Sequence, residues 1–357
     1  MRVVISGYYG FDNVGDEAIL YSIIQALREK DLTIEITVLS NQPTKTADTY
    51  QVDAVNRWDI KQVIHALRNA DGLISGGGSL LQDKTGFKSV PYYTGIMKIA
   101  QFLKKPVFVY AQGMGPINKS INRLITKNVL KNTHITVRDK DSKELLREIG
   151  LKNSIELVPD PVLGINLSSH ESDWWDKQGF EKPVVTVSVR DWPSTIEFKK
   201  EIAQALDTIA KEGSTIVFIP MHGEHDDATS KEVAELMTEK SYIAPFDASI
   251  EEKVVIIGKS NLLVGMRLHA LIFSSVMETP FIALSYDPKI DAFVEISGQT
   301  IVGHVNETGW NAGSLSTLIK TKLEMEEEEK KLLREKISPL QQKAKETAEL
   351  AIQYFKK

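Results

Sequence analysis

Along this 357-residue chain, short runs of β-branched and aliphatic residues alternate with segments of helical period. "RVVIS" (2–6) is such a run, and "DEAILYSIIQALREK" (16–30) follows it with Ile19, Ile23 and Leu27 on one side of a helix. The pattern repeats. "IEITVLS" (34–40) precedes a helix over 59–70, and "DGLIS" (71–75) precedes one over 95–105. "PVFVYAQ" (106–112) is followed by a helix over 121–132 and "HITVR" (134–138) by one over 140–150, with "SIELVP" (154–159) as a further strand. Apolar strands separated by helices predict a mostly parallel, doubly wound sheet, because each crossover helix covers a sheet face.

Beyond residue 159 the period is lost, and "PDPVLGINLSSHESDWWDKQGFEKP" has the prolines and polar middle of a linker. The alternation then restarts. Strands are expected over 184–190, 214–220, 261–266 and 280–286, with helices over 196–213, 227–240, 249–260 and 267–278. A helical tail begins near Gly313 and should break at Pro339; its "KLEMEEEEKKLLREK" section reads as a solvated face with i,i+4 ion pairs. The expected fold is therefore α/β and GT-B-like. Two Rossmann-like domains, 1–168 and 183–312, are joined by a linker, 169–182, with a ligand cleft between them and C-terminal helices over 313–357.

Hydrophobic residues make up 42% and charged residues 25% of the chain, as in an ordinary globular protein with material for two cores. No cysteine occurs, which removes disulfides, thiolate metal sites and cysteine nucleophiles from consideration. "MRVVISGYYGF" lacks the long apolar segment of a signal peptide, and no apolar run of ~18 residues follows, so a cytoplasmic protein is expected. The net charge of −5 argues against nucleic acid as partner. Its distribution changes the picture: from Lys84 to Arg138 there is no Asp or Glu, while lysines and arginines recur throughout. Such a zone suits an anionic surface, and "VPYYTGIMKIAQFLKK" (90–105) mixes aromatic, apolar and basic residues as a peripheral membrane helix would. Buried helices carry the same mixture.

Several fingerprints fail. The glycines of "SGYYGFDNVGDE" are Gly7, Gly10 and Gly15, which is not the dinucleotide pattern. "GKS" at 258–260 resembles the end of a P-loop, but Lys253 stands where its first glycine belongs. There is no H-E-x-x-H, and the acids of "DKD" (139–141) open a helix, so no metal is expected.

Three apolar strands end in arginine, at Arg138, Arg190 and Arg267. Ligands of open α/β sheets bind outside the carboxyl ends of the strands, and guanidinium matches carboxylate and phosphate oxygens in pairs. Three such arginines point to a ligand with more than one anionic group. His269 lies in the first turn of the helix after Arg267, where a bound dianion would favour its protonated form. In the first βα loop, Asp12, Asn13, Asp16 and Glu17 accompany Gly10 and Gly15; in "ISGGGSLLQD", Gly76, Gly77 and Gly78 precede Gln82 and Asp83. These loops could present ligands to sugar hydroxyls, with Asp12 or Asp16 as general base. Alternatively Asp16 caps a helix and the glycines serve a turn. "HGEHDD" (222–227) reads as a helix start with loop histidines, of which His222 could line the cleft.

"SGYYGFDNVGDEAIL", "GLISGGGSLLQDKTG", "VYAQGMGPI", "VPDPVLG", "VSVR" and "GMRLHALIFSSVMETPFIALSYDPKI" together resemble the polysaccharide pyruvyl transferases, in order over residues 1–295. The type most similar acts on the secondary cell-wall polymer of S-layer-bearing Gram-positive bacteria. The resemblance implies phosphoenolpyruvate as donor, a 4,6-ketal on a terminal N-acetylmannosamine of a lipid-linked acceptor, released phosphate and no cofactor. It makes 183–312 the donor side and 1–168 the acceptor side. It places Arg267, Leu268 and His269 on the donor, with Arg190 or Arg138 as a further clamp. Combined with the reading of the loops above, Asn13, Gly15, Gly76, Gly77, Gly78, Gln82 and Asp83 are expected on the acceptor, His269 as proton donor, and Asp12 or Asp16 as the base. The basic zone would then face the inner membrane surface or the acceptor's pyrophosphate. A sugar-nucleotide glycosyltransferase of the same fold, or a non-catalytic polysaccharide-binding protein, are the alternatives, and the sequence is silent on oligomeric state.

Overall fold

In the computed structural model, which describes residues 1–84, 86, 88–167, 170–180 and 183–356, the apolar runs become strands of two parallel sheets. The chain divides into two compact units, Met1–Ile165 with Leu340–Lys357, and Asn166–Pro339.

The first unit opens with β1 (Arg2–Ser6), α1 (Val14–Lys30), β2 (Glu35–Ser40), α2 (Pro43–Tyr50), β3 (Asp53–Asn56) and α3 (Ile60–Arg68). It continues with β4 (Gly72–Ser75), β5 (Gly78–Leu81), α4 (Ser89–Phe102), β6 (Val107–Met114), α5 (Ser120–Leu130), β7 (His134–Val137), α6 (Lys140–Glu148) and β8 (Ile155–Leu157). Among the described residues its sheet runs β3-β2-β1-β4-β6-β7-β8, with β5 also paired to β6, and every pairing is parallel. The reversal between β1 and β4 is where such sheets open a crevice at their carboxyl edge. Val4, Leu73, Val107, Val109 and Ile135 pack with Val63, Met97 and Leu146 from the helices to form the core.

The second unit comprises α7 (Asp173–Gln178), β9 (Val184–Ser188), α8 (Phe198–Lys211), β10 (Thr215–Phe218), α9 (Gly223–Leu236), β11 (Ser241–Ile243) and α10 (Ile250–Lys259). It goes on through β12 (Leu262–Gly265), α11 (Leu268–Val276), β13 (Phe281–Ser285), α12 (Pro288–Ser297), β14 (Thr300–His304) and α13 (Ala312–Glu324). Its sheet order is β11-β10-β9-β12-β13-β14, again parallel throughout. Val185, Val187, Leu262 and Val264 pack against Ile202, Leu206 and Val233 on the helices.

Two expectations about order change. The stretch read as a structureless linker contains a 3-10 turn, Pro161–Gly164, and α7, whose first turn Ser172 caps through its hydroxyl. The boundaries at 168, 169 and 182 fall on residues outside those described. Pro339 does not break the tail: α14 (Glu326–Phe355) runs through it, counted with the second unit up to Pro339 and with the first from Leu340. Proline removes a single amide donor, and the i,i+4 pair of Lys330 with Glu326 is among the contacts that favour the helix before it.

Candidate functional site

The carboxyl ends of β10, β9 and β12 lie side by side, because Phe218 registers with Val187 and Ser188 with Gly265. His222, Arg190 and Arg267 leave these three neighbouring strands in turn. Arg267 is the N-cap residue of α11, so Leu268 and His269 occupy the helix's first turn and their amides face the same edge. Its guanidinium is held by the buried carboxylate of Asp226, which accepts Nε at 2.8 Å and also Nη2. Asp226 further accepts the Met221 amide at 3.2 Å, tying the β10–α9 loop to the same group. The carboxylate takes the Nε–Nη2 edge and leaves Nη1 to point elsewhere. A fork fixed in this way is pre-oriented for a second anion.

Arg190 is placed differently. Its Nη1 donates to the Tyr286 hydroxyl at 2.8 Å, and its guanidinium lies over the rings of Tyr286 (4.6 Å) and Trp192 (5.1 Å). Among the described residues no carboxylate forms an ion pair with it. Its Nε is buried without a hydrogen-bond partner, as is the Ser188 hydroxyl two residues before. Unsatisfied buried donors are uncommon, and two at one strand end leave unused hydrogen-bonding capacity there. Burial holds the His222 imidazole below its usual range, reinforced by the positive charge of Arg267 and, more weakly, of His225 and Arg190. Lys253, fully buried on α10, donates to the carbonyls of Pro220 (2.9 Å) and Phe246 (2.7 Å), and desolvation lowers its pKa to about 8.

In the other unit, Arg138 is mostly buried and bound to Asp160 at 2.6 Å, with the Ser79 hydroxyl at 3.3 Å from Nη2. A carboxylate thus meets the third strand-end arginine, and it shares its unit with neither Arg190 nor Arg267. The first βα loop departs from expectation in detail. Asn13, not Asp16, is the N-cap of α1, and its side-chain oxygen accepts the Gly15 amide at 3.1 Å; Gly15 is buried inside the helix. Glu17 is spent on the Gly10 amide and the Tyr50 hydroxyl, both at 2.8 Å. Asp12, exposed and in the left-handed region (φ 58°), pairs with Lys45 at 2.7 Å and Gln42 at 3.3 Å, which holds its carboxyl below the usual range. Asp16 faces the glycine loop: a Cβ on Gly78 would lie 2.7 Å from its Oδ1.

The glycines answer to the chain's own packing. A Cβ on Gly76 would collide with the Tyr9 hydroxyl at 2.1 Å, and one on Gly77 would press on Ile19 at 2.8 Å. Both glycines are buried, which argues against their backbones meeting an acceptor; Gly78, at φ 88°, needs its conformation. Asp83 is likewise structural, since it accepts the amides of Asn118 (2.8 Å) and Lys119 (2.9 Å) and the Asn122 side chain at 3.1 Å. Gln82 accepts the Lys84 amide at 2.8 Å. What composition could not show is Asp226, whose acid in a helix's first turn looks like any dipole-compensating residue. Asp227 pairs with Lys231, and among the described residues no group of three His, Asp or Glu side chains could hold a metal ion.

Comparison with known proteins agrees with this layout. AmsJ, an amylovoran biosynthesis protein of Erwinia amylovora, is 20% identical over 354 residues, covering 81% of this chain and 84% of its own. Among solved structures, UDP-GlcNAc 2-epimerase from Neisseria meningitidis bound to UDP-GlcNAc superposes with a TM-score of 0.66 at 13% identity, over 99% of each chain. A glycosyltransferase from Rickettsia africae gives 0.62 at 14% identity, over 99% of this chain and 97% of its own. These likenesses establish the GT-B-type pair of parallel-sheet units. The sequence profile of polysaccharide pyruvyl transferases matches residues 13–288, which run from the Asn13 cap through Arg190, Asp226 and the Arg267–His269 turn. The chain belongs to the polysaccharide pyruvyl transferase family, and is a transferase.

Proposed function

We propose that this transferase moves the pyruvyl group of phosphoenolpyruvate onto a terminal N-acetylmannosamine of a lipid-linked secondary cell-wall polymer precursor, as a 4,6-ketal, for S-layer anchoring. The observation that carries the donor assignment is the Arg267 fork, fixed by buried Asp226 beside Arg190 with its unsatisfied Nε. Phosphoenolpyruvate has a carboxylate and a phosphate, one for each guanidinium. Arg190 is the second clamp rather than Arg138, since its strand β9 pairs directly with β12, which Arg267 follows, whereas both Nη atoms of Arg138 are taken by Asp160 and Ser79.

The chemistry needs a proton on the enol methylene, which gives the adjacent carbon cationic character. One sugar hydroxyl then attacks that carbon and loses its proton to a base. Departure of phosphate renews the cationic centre, the second hydroxyl closes the ketal, and its proton leaves with the phosphate. His269, in the first turn beside Arg267, supplies the proton to the methylene or the phosphate. Asp16 is the base. Asp12 is the poorer candidate, because Lys45 and Gln42 hold its carboxyl ionised and weakly basic. Positioned acid–base groups of this kind contribute about 10²–10⁴-fold each.

A lipid-linked acceptor fits the basic zone. Lys98, Lys104, Lys119, Lys127 and Lys131 are exposed there, and Phe102 (87% exposed), Ile121 and Leu124 stand out among them. Exposed apolar side chains interspersed along the chain with exposed lysines suit peripheral contact with an anionic membrane surface. Among the described residues no helix is long and apolar enough to cross a membrane. The test is phosphate release on mixing the protein, without added metal, with phosphoenolpyruvate and a lipid-linked N-acetylmannosaminyl disaccharide. Acceptor-dependent release is expected. Turnover of a nucleotide-sugar with none of phosphoenolpyruvate would overturn the proposal, and near-normal turnover by His269→Ala would remove the proton-donor role alone.

A further inference from the structure

The carboxyl edge of the first unit holds an aromatic cluster that the reading above leaves unused. Arg57, the residue after β3, is 4% exposed. Its guanidinium lies 4.4 Å from the ring centre of Tyr92 and 5.1 Å from those of Phe11 and Trp58. Nη1 donates to the Gly7 carbonyl at 2.9 Å and Nη2 to the Tyr93 hydroxyl at 3.3 Å, while Nε is buried with no partner. The arginine props up two exposed rings. Trp58 is 62% exposed, yet its orientation is set by an indole N–H donated to Asn41 at 3.1 Å and by contact with Tyr92 at 5.1 Å. Tyr8 is 40% exposed and stacks on Phe11 at 4.1 Å with 6° between the planes.

Two exposed, pre-oriented aromatic faces in one place are a binding surface rather than scattered surface residues. Their neighbours say what they bind. Polar groups adjoin the rings: Asn41 accepts the Trp58 indole N–H, and Gln42 and Lys45 meet Asp12, the residue after Phe11; a lipid tail or an apolar helix would have to desolvate them. A pyranose fits better: its apolar C–H face lies against the negative face of a ring while its hydroxyls meet these polar groups. Tyr8 also feels the charges of both Asp16 and Arg57, so the ledge adjoins the carboxylate assigned as base.

We propose that Tyr8, Phe11 and Trp58, braced by Arg57, form a saccharide subsite for the sugar unit next to the one that reacts. This rests on the transferase reading. It explains why the ledge sits at the carboxyl edge with Asp16, and it makes the enzyme selective for acceptors of at least two sugars.

The experiment compares wild type, Trp58→Ala and Trp58→Phe on the methyl glycosides of N-acetylmannosamine and of the N-acetylmannosaminyl-N-acetylglucosamine disaccharide. Trp58→Ala should raise KM for the disaccharide roughly 5- to 10-fold relative to the monosaccharide, with the loss in KM rather than kcat. Trp58→Phe should restore most of it. Equal changes on both acceptors, or none, would overturn the subsite. Saturation-transfer NMR on the disaccharide without donor separates the two readings. If wild type saturates the second sugar's C–H protons and Trp58→Ala does not, the ledge stands even where no phosphate is released; if the two proteins give the same pattern, the ledge is refuted.

Discussion

Replacing Asp226 by Asn tests the proposed donor site at its most constrained point. The carboxylate is 1% exposed and accepts from Arg267 Nε, Arg267 Nη2 and the Met221 amide. Asparagine keeps one acceptor oxygen and turns an NH2 group towards one of these donors. At least one charge-assisted bond is lost, about 1.5–3 kcal/mol, and the guanidinium loses its countercharge. Breaking a buried pair costs about 3–5 kcal/mol; because the Arg267 side chain is 18% exposed and recovers some hydration, the lower end applies. For a unit of this size that lowers Tm by roughly 6–12 °C. The freed fork also loses its aim, and a displacement of about 1 Å can cost roughly 100-fold, so the donor KM should rise by roughly 30- to 100-fold. The control is Asp227→Asn, one residue on, whose partner Lys231 is 60% exposed; that pair contributes under about 1 kcal/mol. Calorimetry and donor titration read the two effects separately. A lowered Tm with unchanged donor KM would mean that Arg267 is structural, and no change in either would refute the charge-pair reasoning itself.

Tyr286→Phe removes the hydroxyl that accepts from Arg190 Nη1 at 2.8 Å, and donor KM should rise about 5- to 10-fold with little change in Tm. An unchanged KM would detach Arg190 from the donor. Gly78→Ala forces a side chain into φ 88° and against Asp16, so the fold should lose about 1–2 kcal/mol and kcat should fall more than donor KM rises. A variant with wild-type kcat would dismiss Asp16 as base. Lys253 has a folded-state pKa of about 8, below the ordinary 10.5, so between those values the unfolded chain holds a proton that the folded chain has released. Stability therefore rises with pH across that window, by up to ~3 kcal/mol. Urea unfolding from about pH 7.5 to about 9.5 should show this rise relative to Lys253→Met, and parallel profiles would contradict it.

The architecture was legible because central parallel strands are buried on both faces and so print continuous apolar runs such as "VVTVS" and "RVVIS". The strands that escaped are those without that constraint. β3, β11 and β14 lie at sheet edges and are half-exposed, so "DAVN", "SYI" and "TIVGH" carry no apolar run. β5 begins in "GGG" and read as a loop.

At the site the dividing line falls between roles set by position and roles set by partner. The strand-end positions of Arg190 and Arg267 could be read from the chain alone, because each directly follows an apolar run that becomes β9 or β12. Arg138 satisfies the same rule, yet its Nη1 is taken by Asp160 and its Nη2 by Ser79, whereas Asp226 leaves Nη1 of Arg267 unused. Asp226 shows the converse. It sits 41 residues from Arg267, and nothing in "HGEHDD" separates an acid that orients an arginine from one that faces a helix dipole. Gly76 and Gly77 repeat the lesson, since a glycine that makes room for Tyr9 or Ile19 is spelled the same as one that makes room for a substrate. The ledge around Arg57 follows the same logic, because its rings come from the β1 loop, the end of β3 and α4, and only the strand order brings them to one edge. Position along the chain therefore nominates the residues that can touch a ligand, and only the non-local contacts decide which of them are left able to do so.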